Sequence, residues 1–265
     1  MEVKYTALTF WDLLAPAALI LVNGALSLRL RLGIERQLIV AAARMVAQLS
    51  LAGYILTLLF KMVSPVWTAL AAAIMVLFAG REIAARQTRT FTGGWSLGLG
   101  TLCALTAAGS LTVLTLVGPI AADPWYHPRY ALPLLGMILG NALTGISLGL
   151  DVLANGAVRQ RAAIEAQLAL GASRWTALLP VTREAIRSGL IPTINTMAAI
   201  GIVSLPGMMT GQILAGVAPF DALKYQILIM FVIAGATALG TLMAVTAAVF
   251  LITDERHRLR LDRVS

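Results

Sequence analysis

Seven apolar stretches, most of them long enough to cross a bilayer, alternate with short connections along this 265-residue chain. A spanning helix needs about 20 mostly apolar residues. Lipid offers the backbone no hydrogen-bond partners, so each crossing segment must satisfy its own N–H and C=O groups. The stretches run roughly from Phe10 to Leu28, Leu38 to Phe60, Pro65 to Ala79, Trp95 to Ile120, Leu132 to Leu153, Leu190 to Val217 and Tyr225 to Ile252. The third is short, and the fourth and sixth are long. Composition agrees: 59% of residues are hydrophobic and only 12% are charged, about half the charged share of a soluble domain. The expected fold class is all-α, a polytopic membrane protein of about seven transmembrane helices forming a single domain over 1–265.

Charge placement supplies an orientation. With the N-terminus outside, the inner segments hold Arg29, Arg31 and Arg36, then Arg81, Arg86 and Arg89. The third inner segment holds Arg159, Arg161, Arg174, Arg183 and Arg187, and the tail holds Arg256, Arg258, Arg260 and Arg263. The outer side receives Lys4, Lys61, Arg129 and Lys224. Such a bias predicts an N-out, C-in protein of the bacterial inner membrane. The net charge of +8 is therefore spent on topology, and no nucleic-acid partner is expected. Met1–Tyr5 lacks a basic n-region and is read as mature sequence. The single Cys103 excludes a disulfide or cysteine cluster within one chain.

Local features refine the spans. Trp11, Trp67, Trp95, Trp125 and Tyr126 sit where interfacial aromatics belong. The loop from Ala122 to Pro128 reads as a rigid outer turn. Gly136 and Gly140, and again Gly145 and Gly149, are four residues apart, a spacing that lets helices approach closely in lipid. It serves internal packing or a subunit interface. The sixth stretch is broken at Pro206-Gly207, with Pro192 near its inner end. Unpaired backbone at membrane depth is tolerated where protein or a water-filled cavity satisfies it. The break marks either a packing kink or a transport path.

The polar stretch over about 155–188 is long, basic and helix-prone. Residues 158–170 are expected to form a helix with arginines on one side and Ile164, Leu168 and Leu170 on another. Gly171 is placed to end it with a left-handed cap. Ser173 is placed to N-cap a second helix carrying Trp175, Leu178 and Leu179. Such a pair either docks onto a partner or rests on lipid headgroups.

No Walker-type Gly-x-x-x-x-Gly-Lys-Ser/Thr and no His-Glu-x-x-His occurs, which argues against nucleotide binding by this chain and against a metalloprotease. Polar groups within the stretches are Asp12, Arg44, Gln48, Asn141, Asp151, Asn195 and Gln212. Intramembrane ionisable residues face a cavity or a partner. The substrate-path candidates are Arg44, Asn141, Asp151, Met208, Met209 and Gln212. The thioethers of Met208 and Met209 suit soft metals or fill irregular gaps, and Asn141 and Gln212 offer carbonyl oxygens.

The segment Glu165-Ala166-Gln167-Leu168-Ala169-Leu170-Gly171-Ala172-Ser173-Arg174-Trp175 resembles the EAA loop of ABC-transporter permeases. There a short helix fits a groove on the ATP-hydrolysing subunit. The match lies in Glu165, Ala166 and Gly171, with Gln167 where alanine is usual. Val181-Thr182 also fits, and Arg183-Glu184 replaces the usual Leu-Pro. Gly136 to Asp151 and Ser204 to Gly216, with Arg44, Gln48 and Gly53-Tyr54, resemble the FetB (YbbM-like) iron-export permeases. That family is similar to plant proteins linked to aluminium tolerance.

The resemblance implies a non-enzymatic permease subunit, a homodimer, with a cytoplasmic coupling-helix loop. It implies a separate ABC-type ATPase that carries ATP and Mg, no cofactor in this chain, and iron or a related metal ion as substrate. Glu165, Ala166, Leu168, Leu170, Gly171, Ala172, Ser173 and Trp175 are its expected ATPase-coupling residues. Two other classes stay open: an ion-coupled secondary transporter or channel without ATPase, and a non-transporting membrane scaffold.

Overall fold

The structure is a computed structural model that describes residues 9–264. Lys4 and the Met1–Tyr5 segment lie outside the described residues. The chain divides into two compact units, Met1–Met62 and Val63–Ser265.

The first unit is a helical hairpin. A 3₁₀ turn, Phe10–Leu13, leads into α1 (Leu14–Leu30), and α2 (Glu35–Met62) follows. Thr9 donates from its backbone N and its Oγ1 to Asp12 (2.7 and 2.9 Å), fixing the entry turn. Arg31 ends α1 in the left-handed region at φ 52°. Ser27 Oγ donates to Glu35 Oε2 at 2.9 Å and accepts from Ile34 N at 3.3 Å, so one hydroxyl closes the hairpin. Glu35 also places negative charge at the positive end of α2.

The second unit carries α3 (Pro65–Ala85), α4 (Trp95–Ala104), a π turn (Leu105–Gly109) and α5 (Ser110–Val117). Then follow α6 (Pro128–Arg159), α7 (Arg161–Ala169), α8 (Arg174–Ala199), α9 (Gly207–Leu214) and α10 (Pro219–Leu251). Proline opens α3, α6 and α10, where its missing N–H costs nothing and its fixed φ suits the first turn.

Among the described residues six helical segments are long and apolar enough to cross a membrane. The expected fourth span is one of them, bent through the π turn and ending at Val117. The third runs on to Ala85. The sixth expected run, Leu190 to Val217, is not one continuous helix. Its first part is the end of α8, 200–206 is irregular with Gly201 at φ +90°, and its last part is the short α9. The helix stops at Ala199, where Ile200 turns extended and Gly201 left-handed, and Pro206 stands at the N-cap of α9. Pro180 and Pro192 lie inside α8 without ending it. The helix expected over 158–170 is likewise divided: α6 persists to Arg159, Gln160 leaves helical geometry, and α7 starts at Arg161.

α6 is the central helix of this unit. In its most apolar 18 residues 61% are buried inside the chain, against none in the same window of α2. Burial between helices gains little in lipid, since lipid tails are as apolar as leucine; close backbone approach through small residues does the work. At Gly145 an added Cβ would lie 2.5 Å from Thr237 Cγ2 and 2.9 Å from the Gly189 carbonyl oxygen. At Gly149 it would lie 3.0 Å from Thr241 Cγ2 and 3.2 Å from Val245. The inner half of the expected glycine spacing thus packs α6 against α8 and α10. A Cβ at Gly140 would meet nothing within 4 Å.

These pairings fix directions. α6 and α10 run the same way, and α8 runs opposite, with Gly156 against Val181 and Gly145 against Gly189. Thr88 reaches Asp151, so the end of α3 lies beside the end of α6. The connections 86–94, 160–173 and 252–264 therefore share one end of the unit, and 118–127 and 200–218 share the other. Arg86, Arg89, Arg159, Arg161, Arg174 and the four tail arginines lie at the first end. Arg129 and Lys224 lie at the second.

Candidate coupling and transport site

The expected coupling segment is a two-helix corner at the arginine-rich end. Within α7, Ile164 is 2% exposed and Leu168 packs against the core. The Arg161–Glu165 pair (2.8 Å) lies in the open, where such a pair contributes about 0.3–0.5 kcal/mol. Burying the isoleucine contributes about 1.5–3 kcal/mol, so the apolar contact seats α7. Its other face, Glu165, Ala166, Ala169 and Leu170, is exposed, and Leu170 is 89% so.

The corner has a defined cap. Ala172 N donates to Gln167 O and Gly171 N to Leu168 O, each at 3.0 Å. This is the Schellman pattern, which needs a left-handed residue, and Gly171 supplies it at φ +89°. Ser173 then caps α8 as expected, its Oγ accepting from Thr176 N at 3.3 Å. The first turn of α8 is tied to the end of α10 and to the tail. Trp175 stacks edge-to-face on Phe250 at 5.2 Å, and Arg174 lies over the same ring. Arg174 N donates to His257 Nδ1 (3.3 Å) and its Nη1 to Thr253 Oγ1 (3.4 Å). Leu178 is fully buried and Leu179 is exposed.

The expected coupling residues therefore divide. Glu165, Ala166, Leu170 and Gly171 stand on the open surface. Leu168 seats α7, Ala172 and Ser173 form the turn, and Trp175 is engaged with Phe250.

The tail is a second organised element that the sequence did not reveal. Phe91 and Val264 form an antiparallel bridge, as do Thr253 and Leu259. Asp254 accepts from Arg258 N, Arg258 Nε and Arg256 N. Led by the Arg258 backbone N–H, these donors hold its carboxyl below the usual carboxylate range.

Within the second unit the substrate-path candidates do not converge. Asp151 accepts from Thr88 N at 2.7 Å and from the Thr88 hydroxyl, and Asn155 Nδ2 donates to Thr88 Oγ1 at 3.0 Å. Asp151 thereby anchors the connection after α3. Asn141 Nδ2 donates to Met137 O of its own helix (2.9 Å). Met208 packs on the core. Gln212 holds a buried Oε1 with no partner among the described residues. Arg44 is exposed on α2 in the first unit.

Met209 alone of these lines a cavity of about 420 Å³ beside the Pro206 break, with Met197, Gln226, Met230 and Phe231. The adjacent methionines separate because neighbours on a helix point about 100° apart. Met197, Gln226 and Met230 were missed; sequence spacing gives no sign that α8, α9 and α10 meet there. Among the described residues no group of three or more His, Cys, Asp or Glu side chains is placed to hold a metal ion.

Comparison with known proteins agrees with this architecture. The family described as "UPF0014: Uncharacterised protein family (UPF0014)" matches residues 10–251. The UPF0014 membrane protein slr1647 of Synechocystis is 40% identical over 231 residues, 86% of each chain. The "Probable iron export permease protein FetB" of Escherichia coli is 28% identical over 241 residues, 91% of each. "Protein ALUMINUM SENSITIVE 3" of Arabidopsis thaliana is 31% identical over 228 residues, 86% of this chain and 81% of that one. No solved structure matches.

Proposed function

Because the chain belongs to the UPF0014 family of membrane proteins, we propose that it is the permease subunit of an ABC-type exporter of iron or a related metal. In this reading it works as a homodimer with a separate ATPase that supplies ATP and Mg. The observation that carries it is the α7–Gly171–α8 corner. That corner is closed by a Schellman cap, stands at the arginine-rich end, and presents Ala166, Ala169 and Leu170 exposed among the described residues. An interfacial helix resting on lipid would turn its apolar face to the bilayer. Here the inward apolar face is already taken by the protein core, and the outward strip fits a protein groove. The relative named a probable iron export permease supports the substrate class.

A cysteine at Leu170 is expected to crosslink to the co-expressed ATPase, and one at Arg129 is not. A Leu170 cysteine that captures no ATPase while the two proteins still co-purify would place the docking element elsewhere.

Orientation belongs to the same reading. With the arginine-rich end cytoplasmic, cysteines at Asp123 and Asp221 will react with an impermeant reagent added to intact cells. A cysteine at Arg86 will not; labelling there would overturn N-out, C-in. The native Cys103 is buried and contributes little background.

The metal path is proposed to run past Met209. Met209→Leu keeps volume and hydrophobicity, costing less than about 1.5 kcal/mol of stability, so membrane levels should stay normal. With Met197→Leu added, cells should retain iron as transport-deficient cells do. Full export by the double variant would make these methionines packing residues.

A further inference from the structure

The sharpest unassigned feature lies at the foot of α10, where the chain leaves its apolar run. An open cavity of about 740 Å³ is lined by Arg174 from the coupling corner and by Arg256, Arg258, Arg260 and Arg263 from the tail. Two carboxylates, Asp254 and Glu255, share the lining, so positive charge is in excess. Ion pairing leaves three of these arginines, Arg174, Arg256 and Arg263, against one carboxylate, Glu255. Asp254 is held by Arg258 (2.7 Å) and Asp262, outside the lining, by Arg260 (2.8 Å). Arg174 donates to Thr253 Oγ1 and Arg263 to the Leu251 carbonyl oxygen, with the charge of Asp262 near Arg263. Among the described residues no carboxylate pairs with Arg174, Arg256 or Arg263. Like charges gathered this way repel, and an anion is what relieves them.

The lining also mixes one aromatic ring with the guanidiniums. Phe250, 53% exposed, stands on the last turn of α10, and Thr253 follows immediately. An apolar wall that passes within a few residues into guanidiniums matches the junction of acyl chain and phosphate in a lipid. A free anion would make no use of the part of the Phe250 ring that stays exposed beside Trp175 and Arg174. Arginine is also the side chain best suited to phosphate, through its planar fork of donors.

We infer that this pocket is a binding site for the phosphate of an anionic phospholipid headgroup, gripped jointly by the coupling corner and the C-terminal tail. The shared chemistry is a phosphate anion, and the phospholipid is its source. The inference rests on the chain being a membrane protein and needs no ATPase. A bound headgroup would join Arg174, in the first turn of α8, to Arg256 and Arg263 of the tail. It would thereby make the set of the coupling corner sensitive to lipid composition.

The test uses the full chain purified in detergent and freed of native lipid. Phosphatidylglycerol and phosphatidylcholine are titrated in turn, and bound lipid is counted by native mass spectrometry. A basic side chain near the surface of an anionic membrane is worth about fivefold in affinity. The wild type should therefore prefer phosphatidylglycerol by about tenfold or more. Arg256→Gln should weaken it about fivefold, and Arg174→Gln with Arg256→Gln about 25-fold. The Arg256 side chain makes no hydrogen bond among the described residues, so its loss leaves the tail fold intact. Arg159→Gln removes the same charge outside the pocket and should change nothing. Equal phosphatidylglycerol affinity in wild type and Arg256→Gln overturns the inference. So does an equal loss in Arg159→Gln, which would reduce the effect to net charge. Inorganic phosphate held by the wild type at millimolar concentration, with no preference between the two lipids, would assign the pocket to a free anion and overturn the lipid source.

Discussion

Gly189→Val is expected to remove most of the folded protein from the membrane. A Cβ at Gly189 would lie 2.6 Å from the carbonyl oxygen of Gly145 and 2.7 Å from Thr241 Cγ2. The oxygen belongs to the backbone ladder of α6 and cannot rotate aside as a side chain would. The whole of α8 must therefore withdraw, and the seam among α6, α8 and α10 opens. Overpacking a tight site costs about 1–3 kcal/mol, so alanine here should already lower stability by that amount. Valine adds two methyl groups and should reach or pass the top of the range. The check is thermal unfolding of purified protein together with its level in the membrane. Gly140→Val is the companion variant, because no atom lies within 4 Å of its Cβ position. Wild-type stability in Gly189→Val would mean that the crossing of α6 and α8 is wrongly placed.

The second expectation separates coupling from folding. Gly171→Leu should insert and accumulate normally, since the space around its Cβ is open within 4 Å. At φ +89°, however, an L side chain in a left-handed conformation costs about 1–2 kcal/mol. The cheapest escape is for the corner to change its turn, which moves Leu170 and Ala166 away from the surface they present. Coupling free energies between sites are of order 1–3 kcal/mol, so stimulation of the proposed partner ATPase should fall about tenfold. Gly171→Asn should retain most of it, because asparagine tolerates the left-handed region. Equal stimulation by the leucine variant would remove this corner from the coupling pathway.

Much of this molecule is legible from apolar run length alone, because lipid leaves a crossing segment little choice but a helix. The break near Pro206 and the caps at Gly171 and Ser173 were legible for the same kind of reason: each is local backbone chemistry. Contacts between distant segments were not. Asp151 reads as a lone carboxylate near the end of a span, yet it is the acceptor that holds Thr88; only Asn155, one turn on, hints at a polar cluster. The pair Met208–Met209 reads as one feature and is two, one methionine in the core and one on a cavity. The tail reads as a run of charge. Its bridge to Phe91 depends on Val264, a single apolar residue that no periodicity marks.

The length of α6 has a mechanical consequence. Its 32 residues make a rod of about 48 Å, against a hydrocarbon core of about 30 Å. The rod meets the α8 backbone closely at Gly145, against Gly189, and Arg159 stands 14 residues, about 21 Å, further along. Only Gln160 separates that tip from α7. A displacement of about 4 Å applied at α7 thus becomes a tilt of about ten degrees about Gly145 if the helix stays stiff. The same tilt swings the opposite arm, from Pro128 to Leu143, the other way by a comparable distance. The glycine crossing is in that sense a pivot. A push delivered outside the bilayer on one side emerges as a lateral stroke on the far side.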